Sequence, residues 1–205
     1  MTVPGAEHSP PASYAGRLLV AAPPSDPVFD RTVVLVLDHD EAGALGVILN
    51  RPGELRVADV LPRWSDEVDH PPVLFVGGPV SPQGAVCLGA LTQEAMRQEA
   101  LSQEAGPESA LPSGLRAVGG GVVLVDLDSD PDLLPLAHSR IYAGYSGWSP
   151  GQLDKEVAAG AWVVVDLLPG DPWMVRPERL WRDVLRRQDG ALRFLSTHPG
   201  DPTLN

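Results

Sequence analysis

Tyr142-Ala-Gly-Tyr-Ser-Gly-Trp-Ser-Pro-Gly-Gln-Leu-Asp-Lys-Glu-Val157, continued by Trp162-Val-Val-Val-Asp166, is the stretch on which the fold turns. It reads as the end of a strand, a glycine-rich turn, a short helix and the next strand. Ser149 is placed to N-cap the helix, Pro150 falls where its missing N–H costs nothing, and Gln152 completes an S-x-x-Q capping box. Leu153 and Val157, four apart, form the buried stripe, and Gly160 ends the helix. A turn with few side chains that opens a helix leaves backbone N–H groups available to an anion.

Working outward, Thr32-Val-Val-Leu-Val-Leu37 and Ala44-Leu-Gly-Val-Ile-Leu49 flank the polar link Asp38-His-Asp-Glu-Ala-Gly43. The pattern predicts a hairpin whose near-continuous apolar strands are buried on both faces. Arg17–Ala22 supplies a strand before it, and Ser25–Arg31 a turn anchored by Phe29. Val73–Val76 and Ala85–Leu91 are strands around Gly77-Gly78-Pro79. Arg116–Val118 and Val122–Leu127 form a second hairpin around three glycines. Short helices are expected over Arg56–Leu61, with Val57, Val60 and Leu61 inward, and from a cap at Asp130 through Leu136. Thr92–Ala105 is a weak helix, and Gly106–Gly114 has the least local structure. Glu178–Gln188 is a helix with Leu180, Trp181, Val184 and Leu185 on one side and Gly190 at its end. Strands arrive as hairpins rather than alternating with long helices, which predicts an α+β fold with a largely antiparallel sheet. Residues 1–15 are expected to be disordered or to drape over the surface of a single domain spanning 16–205.

The 205 residues carry a formal net charge of −12, which opposes general affinity for the phosphates of nucleic acid. A single cysteine, Cys87, excludes an internal disulfide framework and fits a reducing compartment. No run approaches the roughly 18 apolar residues of a membrane span, and the N-terminus has no signal-peptide pattern. The expectation is a soluble cytoplasmic protein that binds neither membranes nor nucleic acid directly. No cofactor or metal is expected. Asp38-His39-Asp40-Glu41 has suitable ligand types, but adjacent residues at a hairpin tip rarely converge on one ion. His8, His70, His138 and His198 lack metal-ligand spacing.

Gly147-Trp-Ser149-Pro-Gly151 matches the G-x-S-x-G elbow of serine hydrolases. Pro150, however, has no N–H to offer an oxyanion hole, and it pushes Ser149 toward extended geometry. The N-cap role accounts for every residue of the motif. The glycines of this turn serve either an anion or simply tight turns and close packing. On the last helix Arg179, Arg182 and Arg186 share one face, with Arg176 and Arg187 nearby. That face suits an acidic protein partner, or is merely solvated.

Four segments together resemble the YqgE/AlgH family: Leu18–Leu35, Gly46-Val-Ile-Leu-Asn-Arg-Pro52, Phe75-Val-Gly-Gly-Pro79 and Gly144–Leu153. The resemblance implies a bifurcated sheet folded into a pseudo-barrel. It brings no catalytic residues, and the family name refers to a proposed role in regulating alginate synthesis. Members commonly carry glycine where Ser149 stands, which removes Ser149 as a shared nucleophile. The first expectation is an indirect regulator of gene expression acting through a protein partner. The alternative is an enzyme or small-molecule binder that recognises an anion at the Gly144–Gln152 turn. Its candidate residues are Asn50, Arg51, Gly77, Gly78, Gly144, Ser146, Gly147, Trp148, Gly151 and Gln152, with Arg51 pairing to a carboxylate or phosphate.

Overall fold

The computed structural model describes residues 13–23, 25–105 and 111–197. The N-terminal segment 1–12, residues 106–110 and the tail from 198 lie outside the described residues. The valine- and leucine-rich runs become β1 (Arg17–Ala21), β2 (Val33–Asp40) and β3 (Gly43–Ile48). With β6 (Val80–Leu91), β7 (Leu115–Gly119), β8 (Val122–Val125), β9 (Leu136–Trp148) and β10 (Trp162–Asp166) they build a curled sheet in the order β10-β1-β2-β3-β9-β6-β8-β7. Two further strands, β4 (Pro52–Arg56) and β5 (Val73–Val76), lie off this path. Every pairing is antiparallel except β5 with β9. The curl brings Gly16, ahead of β1, against Val118 and Gly119 of β7 at the far end of the order. The result is the α+β half-barrel that the hairpin pattern and the resemblance imply.

The bifurcation is centred on β9. One edge of this strand pairs with β6 along most of its length. Two strands share its other edge: β5 lies beside Tyr142 and Ala143, and β3 lies beside Ser146–Trp148. Where they diverge, the Gly77 carbonyl accepts the Ile48 N–H (2.9 Å) and the Ser146 hydroxyl (3.2 Å), while the Gly77 N–H reaches Ala143 O (2.8 Å). Backbones come too close here for side chains. A Cβ on Gly77 would strike the Gly144 carbonyl, and one on Gly78 the Tyr145 carbonyl. Gly144 also has φ of +68°, a left-handed conformation that glycine adopts without penalty.

Both faces of the β1–β3 sheet are covered, as the near-continuous apolar runs predict. Leu18, Val20, Val33, Leu35 and Val47 pack with Phe75, Leu88, Tyr142 and the buried side of α4 (Leu180–Arg186). Leu19, Ala21, Val34, Val36 and Ile48 pack with Trp148, Trp162 and Leu153 of α3 (Gln152–Ala158). A third cluster sits under β6 and β8, around Trp64, Cys87, Val123 and Ile141. Arg140 of β9 is buried and donates to Pro172 O (2.6 Å), His70 O (2.9 Å) and Met174 O (3.3 Å), which pins the segment entering α4 to the sheet.

Several sequence expectations are corrected. The hairpin link shrinks to Glu41-Ala42, because Asp38, His39 and Asp40 continue β2 opposite Leu45, Ala44 and Gly43. The helix at 56–61 is the single turn α1 (Val57–Val60). Only Val57 of its three expected inward residues is buried, and Val60 is half exposed. Asp130 makes no side-chain cap, and the helix expected through Leu136 is one 3-10 turn at Pro131–Leu133. Leu136 instead begins β9, where pairing with Leu91 outweighs local preference. The weak helix is a full one, α2 (Gln93–Ala105), and a last short helix, α5 (Ala191–Leu195), follows Gly190.

Gly77→Ala should lower stability by at least about 2 kcal/mol, since neither backbone at the fork can retreat without breaking pairing. Gly170→Ala, where φ is −86° and a Cβ meets nothing within 4 Å, should change it by less than about 0.5 kcal/mol. Urea midpoints of the two variants check this.

Candidate functional site

The turn that joins β9 to α3 is built differently from the predicted capping box. Gln152 Oε1 accepts the Ser149 N–H at 3.0 Å, which is half of the box. The other half is missing. The Gln152 N–H goes to the Ser149 carbonyl (2.9 Å), and the N-cap is Gly151 at φ +66°, with no side-chain cap bond. The left-handed Gly151 moves the helix start two residues past the expected serine. Two of the amides proposed for an anion are therefore engaged within the turn. The C-terminus follows the sequence: Gly160, at φ +79°, donates to Val157 O (3.0 Å), and Ala161 donates to Glu156 O (2.9 Å), a Schellman motif.

This geometry places Glu156 between two indoles. Its Oε2 accepts from Trp148 Nε1 (2.9 Å) and from Trp162 Nε1 (2.8 Å), and its Oε1 accepts from Gln152 Nε2 (2.8 Å). Trp148 ends β9 and Trp162 begins β10, so one carboxylate of α3 joins the two strands. Their rings meet edge to face with centroids 6.0 Å apart, and Phe29 packs against both, at 6.5 Å from Trp148 and 5.3 Å from Trp162. Beside them opens a cleft of about 380 Å³, lined by Asp26, Phe29, Trp148, Gln152, Glu156 and Trp162 among others.

The loop that brings Phe29 and Asp26 to the cleft is held from behind. Asn50, almost fully buried, accepts the Val33 N–H (2.9 Å) and donates to Arg31 O (2.8 Å). Arg51 donates to Asp30 O (3.3 Å). Burial lowers its guanidinium pKa, and the nearby Asp30 acts in the opposite direction. The ten candidate residues thus fall into separate places. Gly147, Trp148 and Gln152 line the cleft, with Gly151 at the mouth of α3. Gly77, Gly78, Gly144 and Ser146 form the fork, and Asn50 and Arg51 brace the 25–31 loop. On sequence alone Glu156 stacks with Gln152 at i, i+4 on the outer face of the helix, a position that either binds a ligand or is simply solvated. Its spacing from Gln152, Trp148 and Trp162 was visible, but their convergence was not.

Other chemically suggestive residues have structural partners. His39 Nδ1 accepts the Tyr14 N–H (3.1 Å), its ring stacks on Tyr14, and its Nε2 lies 3.6 Å from Asp154. Among the described residues no group of three or more His, Cys, Asp or Glu is arranged to hold a metal ion. Burial pushes the Cys87 thiol up to about 12. On the opposite side of the sheet a second concavity of about 310 Å³ gathers Arg31, Arg179, Arg182 and Arg186 with Glu178 and Asp183. Arg187 is not part of it, because it holds Asp171 through two bonds of 2.6 and 2.7 Å.

This architecture, a bifurcated half-barrel forked at paired glycines, defines a known class. The AlgH-like family (DUF179) matches residues 18–193, and the chain belongs to that family. A UPF0301 protein of Streptomyces avermitilis is 49% identical over 197 residues, covering 95% of this chain and 96% of that protein. One from Nocardia farcinica is 44% identical over 188 residues, covering 90% and 82%. The crystal structure of a Corynebacterium diphtheriae protein superposes with a TM-score of 0.77 at 34% identity, covering 93% of this chain and 94% of that one. The solution structure of the AlgH protein from Pseudomonas aeruginosa shares the fold, with a TM-score of 0.63 at 24% identity over 95% and 98% of the two chains.

The Cys87 thiol sets a pH dependence. Its folded-state pKa lies above the ordinary 9.0, so the folded state keeps a proton that the unfolded chain gives up first. The associated stability is full below the ordinary value and is lost as pH rises toward about 12. Urea midpoints measured from about pH 8 to pH 10.5 should fall more steeply for the wild type than for Cys87→Ala, the thiol's share of the slope being absent in the variant.

Proposed function

We propose that this chain is a cytoplasmic binding protein that regulates gene expression indirectly, taking a small ligand in the cleft beside Trp148 and engaging a protein partner. The cleft carries this reading. It is concave, carries the rings of Phe29, Trp148 and Trp162, lies within the size range of small-molecule sites, and draws its walls from the 25–31 loop, β9, α3 and β10. Binding is favoured over covalent chemistry because Cys87 is buried with a raised pKa, the Ser146 and Ser139 hydroxyls donate to the Gly77 and Glu67 carbonyls, and Pro150 leaves Ser149 without the following N–H that an elbow serine uses in its oxyanion hole. The anionic ligand expected at the turn is disfavoured, since the charged groups lining the cleft are the carboxylates Asp26 and Glu156. The buried single cysteine suits the cytoplasm, and among the described residues no helix is long and apolar enough to cross a membrane.

A thermal-shift screen of the full chain against small metabolites tests the cleft. A true ligand raises the unfolding temperature of the wild type and has little effect on Phe29→Ala. Shifts of equal size in both proteins would remove the cleft from the account.

The arginine concavity supports the partner half of the reading. Two guanidiniums of α4, one from the 3-10 turn just before it and one from the 25–31 loop gather on a chain that is otherwise strongly acidic, an arrangement suited to carboxylate groups of an acidic protein. Poly-glutamate should bind the wild type, more weakly as salt increases, and an Arg179→Ala/Arg182→Ala double variant should lose at least tenfold in affinity. An unchanged affinity in the double variant would exclude this surface.

A further inference from the structure

We infer that the cleft beside Trp148 selects a small organic cation whose charge sits on a fully or largely alkylated ammonium group. The inference deepens the binding reading above and rests on it. Glu156 is the starting point. Its carboxylate is held by three neutral donors, the two indole N–H groups and the Gln152 amide, and none of the described residues brings it a cationic group within salt-bridge distance. A half-buried negative charge fixed in this way leaves its field directed into the adjoining space. Asp26 adds a second carboxylate at the rim, and the lining contains no Lys, Arg or His. The net charge of −12 acts in the same direction.

The donor count narrows the ligand further. A carboxylate offers about four lone-pair positions, and three are already filled. A guanidinium or primary ammonium, rich in N–H donors, would leave most of those donors unmet. An alkylated ammonium needs no hydrogen bonds. It gains from proximity to negative charge and from the faces and edges of aromatic rings. Phe29, Trp148 and Trp162 supply that wall as one contiguous packed cluster, so the cation rests against it rather than between separated plates. The cleft, at about 380 Å³, is the size for a ligand of this kind.

Three probes of nearly one shape and different charge test the inference on the full chain: choline, 3,3-dimethyl-1-butanol and 3,3-dimethylbutanoate. Binding is read from the indole N–H resonances of Trp148 and Trp162. Choline should shift both in a saturable way and bind at least tenfold more tightly than the alcohol, with the carboxylate weakest. Glu156→Gln keeps an acceptor for the indoles and should abolish the preference for choline. Asp26→Asn keeps the acceptor for the Val28 N–H (2.8 Å), preserving the loop if the first variant fails to fold, and should weaken choline several-fold while leaving the alcohol unchanged. Equal or tighter binding of the alcohol or the carboxylate would overturn the cation while leaving the cleft as a binding site. Absence of any indole shift with all three probes would overturn both.

Discussion

Two strands cannot pair with the same stretch of one edge of a third, and the whole molecule is arranged around the way that conflict is resolved. β5 and β3 take successive parts of one edge of β9, and the changeover is possible only because Gly77, Gly78 and Gly144 remove the side chains that would collide. From that point the β3 branch carries β2, β1 and β10 and the β5 branch carries β4, while the opposite edge of β9 carries β6, β8 and β7. Three hydrophobic clusters form instead of one, because the divergence leaves three separate apolar faces to cover.

Two polar side chains then set how the covering helices sit. Among the described residues Arg140 has no carboxylate in hydrogen-bond range. Three carbonyl oxygens and the face of Phe75, 4.3 Å from its guanidinium carbon, offset the cost of burying the charge. The carbonyls of Pro172 and Met174 precede α4, so the position of that helix follows from a residue in the middle of the sheet. On the other face Glu156 does the equivalent work for α3 by binding the indoles of both neighbouring strands. The two devices differ in access: the guanidinium is sealed, whereas the carboxylate borders a cleft.

Much of the fold was legible because burial on two faces writes long apolar runs. β1, β2, β3 and β10 follow from such runs, and the inward residues of α4 follow from helical spacing. Elements set by pairing rather than composition were not legible. β4 contains Pro52 and Gly53 and exists because β5 lies alongside it. Polar Asp38 and His39 extend β2 because β3 continues opposite them. The site was legible in part. Trp148, Gly147 and Gln152 stood out in the turn, and Phe29 as an anchor. Glu156 did not, since its role depends on rings brought from two strands and a distant loop, and a helical glutamate has the same letter whether it faces water or two indoles. The glycines of the fork stood out as serving either a ligand or close packing, and the structure brings backbones together at them.

The pairing of β1 with β10 has a consequence for biosynthesis. Arg17 lies opposite Asp166, so β1 leaves the ribosome well ahead of β10 and waits for it. At roughly 5–20 residues per second that wait is on the order of ten seconds. Throughout it Leu18-Leu-Val-Ala21 presents an unpaired apolar margin, available to chaperones or to another nascent chain. Pro23, just beyond the strand, shortens the exposed template at its downstream end and limits how far an incorrect pairing could extend.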